Sequence, residues 1–369
     1  MTYLETPPEG WQPPFCPNGK CKFHNQLMTK WRYKDFGSYY RETDNRRVQR
    51  YMCMSCKRTF STQTFSTTYW QKLPDTDAKI FTKTVNGMGN RQIARDLGVD
   101  PATVDRKLAR IGRHCLLFLM SMLEKAKPAT EIVYDGLETF EYSQYFPHHL
   151  NLAVEKGTDF ILFFNDSELR RKGAMTKKQR PRRDELEKLH GTPDPKAIMK
   201  STEEMLSVTI SGQESVTVYT DDHKQYVGPM RKYKDRVTHV VTPGKDHRDH
   251  NNHMWEINLV DLFLRHSSKN HTRETIAFSK RRQAAAERLA IFVVYRNFML
   301  GRRQKDRWSP TPAMERGLLE AKLSLGDVLR GRIFVGHYKL PDSWNNYYWR
   351  TVSTRAMERE RKHTLKYAV

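Results

Sequence analysis

Two sets of side chains in this sequence have the types and spacing for chemistry. The first is acidic. Val133-Tyr134-Asp135 and Tyr219-Thr220-Asp221 are short apolar runs that each end in a carboxylate. Strands that deliver two such carboxylates side by side make a hard oxygen site for Mg²⁺ or Mn²⁺. Two ions ~4 Å apart activate an attacking water or hydroxyl and stabilise the leaving oxygen of a phosphodiester, with no Ser or Cys nucleophile required. A third acid is expected on the helical stretch from Trp255 to Arg265. There Asn258 and Asp261 lie three residues apart on one face, and Arg265 follows Asp261 by one turn, whereas Glu256 falls off that face. Asp261 therefore completes the set, Asn258 helps or ligates, and Arg265 contacts phosphate. Glu138 and Asp222 are neighbours that could replace the favoured partners.

The second set is sulfur. Of five cysteines, four form two close pairs, Cys16-Pro-Asn-Gly-Lys-Cys21 and Cys53-Met-Ser-Cys56. Two tight turns of this kind aim four thiolates at one structural Zn²⁺. The first spacing is longer than the commonest turn, and His24 could stand in for a cysteine. The aromatic and Arg-rich stretch between the pairs, Lys30 to Tyr51, reads as the short strands of a zinc ribbon. A module that small takes its folding energy from the metal. Cys115 falls on a later apolar helical stretch and reads as core.

Both sets need elements to position them. From Thr76 a helical pattern (Ile80, Phe81, Val85, Met88) runs to Gly89. A short helix with Ile93, Ala94 and Leu97 on one stripe follows. Gly98 then takes the left-handed turn position, and Asp100 caps the next helix with Pro101 at its first position. This predicts a helix-turn-helix, buried through Val104, Leu108 and Ile111, with Thr103, Arg106, Lys107, Arg110 and Arg113 facing DNA. After Pro128, strands are expected at 131–136, 149–154, 160–164, 216–220 and 237–241, with a helical connection before the fourth and helices at the end. That order gives a mixed sheet covered by helices, an RNase H-like layout. The fold class is α+β. The predicted organisation is a zinc ribbon over 1–70, a helix-turn-helix over 71–127, and a catalytic domain over 128–335 with a basic insertion at about 166–205. A basic, frayed tail is expected over 336–369.

Composition sets the partner class. There are 64 Lys and Arg against 42 Asp and Glu, a formal charge of +22. A surface this positive attracts polyanions and binds them salt-dependently. No apolar run reaches the ~18 residues of a membrane span, and the first residues are polar and Pro-rich. A cytoplasmic, nucleoid-associated protein is expected, with double-stranded DNA as partner and no membrane. His247, His250 and His253, just before the third acid, read as a polar loop of the same site.

The order zinc ribbon, helix-turn-helix, Asp–Asp–acid domain resembles bacterial insertion-sequence transposases with an RNase H-like core. The local matches are Tyr51 to Phe60, Val133-Tyr134-Asp135, Tyr219-Thr220-Asp221, Asn258 through Arg265, and Arg273 to Ser279 running into a helix that ends at Tyr295-Arg296-Asn297-Phe298. The resemblance covers roughly residues 14 to 335. It implies that Asp135 and Asp221 are the first two metal ligands. Members commonly carry Glu seven residues before a Lys or Arg as the third; here that position is Asn258, and pairing an Asn with an acid three residues later selects Asp261. The implied activity is metal-dependent cleavage at element ends and strand transfer into target DNA, by a homodimer or larger assembly that holds both ends. Two other readings fit the same residues: a DNA-binding regulator whose nuclease domain is inactive, and an RNase H-like nuclease that cuts without joining.

Overall fold

The computed structural model describes residues 10–25, 30–272 and 275–355. Arg273 and Glu274 of the matching motif, and Arg359, Arg361 and Lys362 of the expected tail, lie outside them. A small antiparallel sheet comes first, in the order β1 (Tyr33–Arg41), β2 (Arg46–Cys53), β3 (Thr59–Ser61). Trp31, Tyr51 and Phe60 bury against the cysteines beneath it, so a handful of rings and four sulfurs make the whole core of this unit.

Three helices follow: α1 (Thr76–Val85), α2 (Asn90–Leu97) and α3 (Pro101–Leu123). Gly98 ends α2 at φ +63°, a conformation glycine adopts without Cβ strain. The Asp100 carboxylate accepts from the Ala102 amide at 2.8 Å, and Pro101 occupies the first turn, as the sequence predicts.

The third unit is a five-stranded mixed sheet of β4 (Glu131–Phe140), β5 (Pro147–Glu155), β6 (Ile161–Glu168), β7 (Val216–Asp221) and β8 (Val237–Thr242), in the order β6-β5-β4-β7-β8. The first three strands form an antiparallel meander, while β4–β7 and β7–β8 are parallel. Parallel pairs need crossovers. One is supplied by α4 (Gln179–His190) and α5 (Ala197–Thr209), the other by α6 (Val227–Lys232). The helices α7 (Trp255–Ser267) and α8 (Arg282–Phe298) follow, and α9 (Pro312–Glu315), α10 (Leu325–Leu329) and α11 (Asp342–Trp349) close the described chain. The fold is thus the α+β class expected, a four-cysteine unit and a helix-turn-helix ahead of a helix-flanked mixed sheet.

Two expectations need correction. The segment from 336 is not frayed where it is described: α11 buries Trp344, Tyr347 and Tyr348, and the Trp344 indole donates to the Phe164 carbonyl at 2.8 Å. The hydrophobic signal there was three aromatics, easily lost among basic neighbours. Second, the basic insertion is two helices of opposite character. No residue of α4 is buried, whereas α5 buries Ile198, Met205 and Leu206 against the sheet. Among the described residues, no helix is long and apolar enough to cross a membrane.

Candidate functional site

The four cysteines converge. Cys16 Sγ lies 3.7 Å from Cys56 Sγ, and Cys21 Sγ lies 4.0 Å from Cys53 Sγ. All four sulfurs fall within 4.8 Å of one another. A tetrahedral ion with Zn–S bonds near 2.3 Å would set its sulfurs roughly 3.8 Å apart, so the quartet fits zinc. The β2–β3 turn supplies Cys53 and Cys56; the Lys57 amide donates to the Cys53 carbonyl at 2.9 Å, with Lys57 at φ +61°. Burial pushes the Cys16 thiol well up. At Cys53 burial acts in the same direction, but hydrogen bonds from the Trp31 indole (3.1 Å) and the turn amides outweigh it and bring the thiol down to about 7. That is the thiolate-favouring environment a ligand needs. His24 does not join the quartet: its Nδ1 meets the Cys16 carbonyl at 2.8 Å, where it orients the first turn. Cys115 is fully buried on α3, as expected.

The acids meet where β7 ends beside the middle of β4, a strand that the sequence pattern stops at Asp135 and that in fact continues to Phe140. Parallel pairing of β4 with β7 runs through Val133↔Tyr219, so Asp135 and Asp221, each two residues farther on, sit side by side. Helix α7 crosses this end and brings in Asn258, Asp261 and Arg265. One cleft is lined by Asp135, Asp221, Asn258, Asp261, Arg265 and Glu138, together with His149, His223, Tyr226 and Arg248. The Asp135 carboxyl is pushed up to about 7, first by burial and then by the charges of Asp221 and Asp261; the Gly136 amide and Arg248 pull the other way. Asp135 therefore senses both of the other acids. The oxygens of the three are not drawn into as tight a cluster as the sulfurs are, among the described residues. Glu256, which helical spacing placed off this face, instead bonds the Gly157 amide (3.2 Å) and Lys156 (3.4 Å).

Sequence reasoning missed the basic wall of the cleft. Arg248 comes from the loop in which three histidines drew attention instead. His149 occupies the space beside Gly136, where a Cβ would lie 2.5 Å from its Nδ1. A glycine directly after Asp135, inside an otherwise apolar strand, was the available signal.

The helix-turn-helix corrects three of the expected DNA contacts. Arg106 is exposed and Thr103 half-buried at the start of α3, joined by a 3.1 Å hydrogen bond. Lys107, by contrast, is buried and bonds Asp77 Oδ1 at 2.7 Å, the Leu73 carbonyl at 2.5 Å, and Gln71. Arg110 donates to the Tyr69 carbonyl at 2.6 Å, and Arg113 is buried along its own helix. Burial draws both guanidinium groups down to about 10. The reason is packing. Residues 63–77 and α11 cover the α3 face that helical periodicity left polar. The exposed cations of this unit include Lys79 on α1, Arg91 and Arg95 on α2 and Arg106 on α3.

A family model described as Sigma-70, region 4 matches residues 69–115. This span holds α1, α2 and the first half of α3, so the chain carries a helix-turn-helix DNA-binding motif similar to that region.

Proposed function

We propose that this protein is a DNA transposase, which cleaves phosphodiester bonds at element ends and joins the freed ends to target DNA. The observation that carries the reading is the gathering of Asp135, Asp221 and Asp261, from β4, β7 and α7, into one cleft behind a DNA-binding motif. Burial and the charges of Asp221 and Asp261 raise the Asp135 carboxyl, a crowding of carboxylates that divalent cations would relieve. Asp135, Asp221 and Asp261, with Asn258 beside them, would hold Mg²⁺ or Mn²⁺. When bound, these ions supply Lewis acidity for the attacking and leaving oxygens. Arg248 and Arg265 bind the phosphates on either side of the scissile bond. Arg106, Arg91 and Arg95 hold the duplex through the helix-turn-helix, and the zinc ribbon extends that grip. Water attacks at the element end and frees a 3′ hydroxyl, which in turn attacks target DNA. Two ends must be held together, so a homodimer or larger assembly is the working form.

The test is cleavage of DNA carrying the sequences on either side of the gene, including any inverted repeats found there, with Mg²⁺ or Mn²⁺ present. Wild type is compared with Asp135→Asn, Asp221→Asn and Asp261→Asn, each expected to lose at least 100-fold in rate, on the order of removing one essential metal ligand. Normal cutting by all three variants would refute the site. Wild-type protein that binds these ends but never cuts them is a regulator, and cutting without joining makes it a nuclease.

A further inference from the structure

Far from the cleft, the connection between α8 and α9 is a compact, strongly basic loop with a tryptophan held out in water. Its sequence is Arg302-Arg303-Gln304-Lys305-Asp306-Arg307-Trp308. The loop is built, not slack. At its base the Arg302 amide donates to the Pro310 carbonyl at 2.9 Å and the Arg303 amide to Ser309 Oγ at 2.9 Å. Gly301 lies so close to the Ser309 carbonyl that a Cβ there would come within 2.7 Å. Asp306 spends its carboxylate on the Trp308 amide at 2.9 Å, and Lys322 Nζ clamps the Arg307 carbonyl at 2.9 Å. Arg302 is tied down by Asp159 (2.8 Å) and Glu315 (3.6 Å).

This scaffold turns outward everything that is not needed to hold it. Trp308 is 82% exposed, the most exposed tryptophan among the described residues. Arg303, Lys305 and Arg307 are exposed as well, and no carboxylate among the described residues comes within ion-pair distance of them. The Arg307 guanidinium sits 5.5 Å from the Trp308 ring. A large ring left in water forgoes the stabilisation its burial would bring, and three uncompensated cations within five residues repel one another. A partner that relieves both is a polyanion with exposed aromatic faces. A second copy of this chain, itself at +22, would add to the repulsion.

We infer that the 301–309 loop is a second nucleic-acid site, at which Trp308 stacks on an unpaired DNA base while Arg303, Lys305 and Arg307 hold the flanking phosphates. Bases in an intact duplex already stack on one another, so the ring gains most where a base face is free. Asp159, the anchor of the loop, lies in the β5–β6 turn at the end of the sheet where β4 and β7 begin, whereas the cleft opens where β7 ends. The two sites are thus separated by about the length of a short strand, on the order of 20 Å. The inference does not depend on cleavage.

The experiment is fluorescence anisotropy of full-length protein with labelled oligo(dT) and with a duplex of equal length, no divalent ion being added. Trp308→Ala is expected to weaken oligo(dT) binding on the order of tenfold and duplex binding less than about twofold, with Trp308→Phe retaining most of the affinity. Replacing Arg303, Lys305 and Arg307 by Gln should lower the salt slope for oligo(dT) by about two. Unchanged oligo(dT) affinity in Trp308→Ala, an equal loss on duplex, an unchanged salt slope, or loss of self-association at constant DNA affinity would each overturn the assignment.

Discussion

Lys107 is where sequence and structure disagree most sharply, and removing its side chain separates them. As a DNA contact, Lys107→Ala would leave folding alone and weaken DNA binding. In the structure its ammonium meets Asp77 at 2.7 Å, with side-chain exposures of only 10% and 8%. Burial pushes Asp77 up and Lys107 down despite their attraction, so desolvation outweighs the pairing for each. Such a pair adds little net stability over a well-packed apolar pair, but removing one partner leaves an uncompensated charge and costs about 3–5 kcal/mol. Gln71, at 2.6 Å from Asp77, softens this without neutralising the charge. Against a total stability of roughly 5–15 kcal/mol, the loss should be plain in urea unfolding. The sign with pH also follows. With Lys107 gone, Asp77 is held still further above its unfolded value, so the folded state takes up its proton first. The deficit should therefore be smallest below about pH 4, the unfolded pKa of the carboxyl, and grow as pH rises above it. Lys107→Met combined with Asp77→Leu removes both charges and should recover most of the stability. If Lys107→Ala unfolds like wild type and instead loses DNA affinity, the buried-pair reasoning fails.

The remaining predictions concern other parts of the chain. Zinc chelation, or Cys53→Ser, should melt the 10–61 unit while leaving the helical signal of α3 and α8 in place; zinc content by metal analysis and far-UV circular dichroism report the two, and an intact ribbon after chelation would refute a structural metal. The ring nitrogens of His148 and His271 are buried with no hydrogen-bond partner among the described residues, and burial lowers both to about 3. Because the unfolded chain binds their protons first, stability should fall by roughly 1.4 kcal/mol per pH unit per histidine as pH drops from about 6.5 toward 3. Flat stability across that window would count against the burial of these rings. At Gly112 a Cβ would lie 2.4 Å from the Glu287 carbonyl oxygen, so Gly112→Ala must force α3 and α8 apart, at about 1–3 kcal/mol or more by thermal unfolding. An unchanged melting temperature would show that the contact yields freely.

What was legible in the sequence followed from short-range rules. Gly98, Asp100 and Pro101 declare a turn and a cap through their own backbone chemistry, and the structure obeys them residue by residue. Asp221 was legible because an apolar run is expected to stop at a charge, and it does end β7; Asp135 was found by the same rule although β4 continues past it to Phe140. The face of α3 was not, because helical periodicity separates polar from apolar positions without saying whether another segment will cover the polar ones. Lys107 and Arg113 read as solvent-facing until residues 63–77 and α11 fold over them, and those contacts join positions far apart in the chain. The same limit hid Arg248, which loop composition alone could not steer into the cleft, and α11, whose three buried aromatics repeat too briefly to announce a helix.

The length of α3 would link the DNA-binding motif to the proposed cleavage site through continuous packing. Its first turns carry Thr103 and Arg106, the DNA-facing end of the motif, and the helix then continues unbroken to Leu123. Past Leu108 it lies against α8 so closely that only a glycine fits at position 112. Helix α8 is in turn fixed to the sheet that bears the acids: the Asn297 side chain bonds both the amide and the carbonyl of Ile161 at 2.9 Å, and Arg282 pairs with Asp166 and Glu168 at 2.7 Å each. No flexible linker separates recognition from the cleft along this path. A duplex seated on Arg106 is consequently held at a set distance and angle from Asp135 and Asp221, and positioning of this kind is a large share of what phosphodiester chemistry needs from a protein. On the proposed reading the choice of bond would follow from where α3 grips the DNA, and a change in the α3–α8 contact should shift or abolish the proposed cutting before it weakens binding.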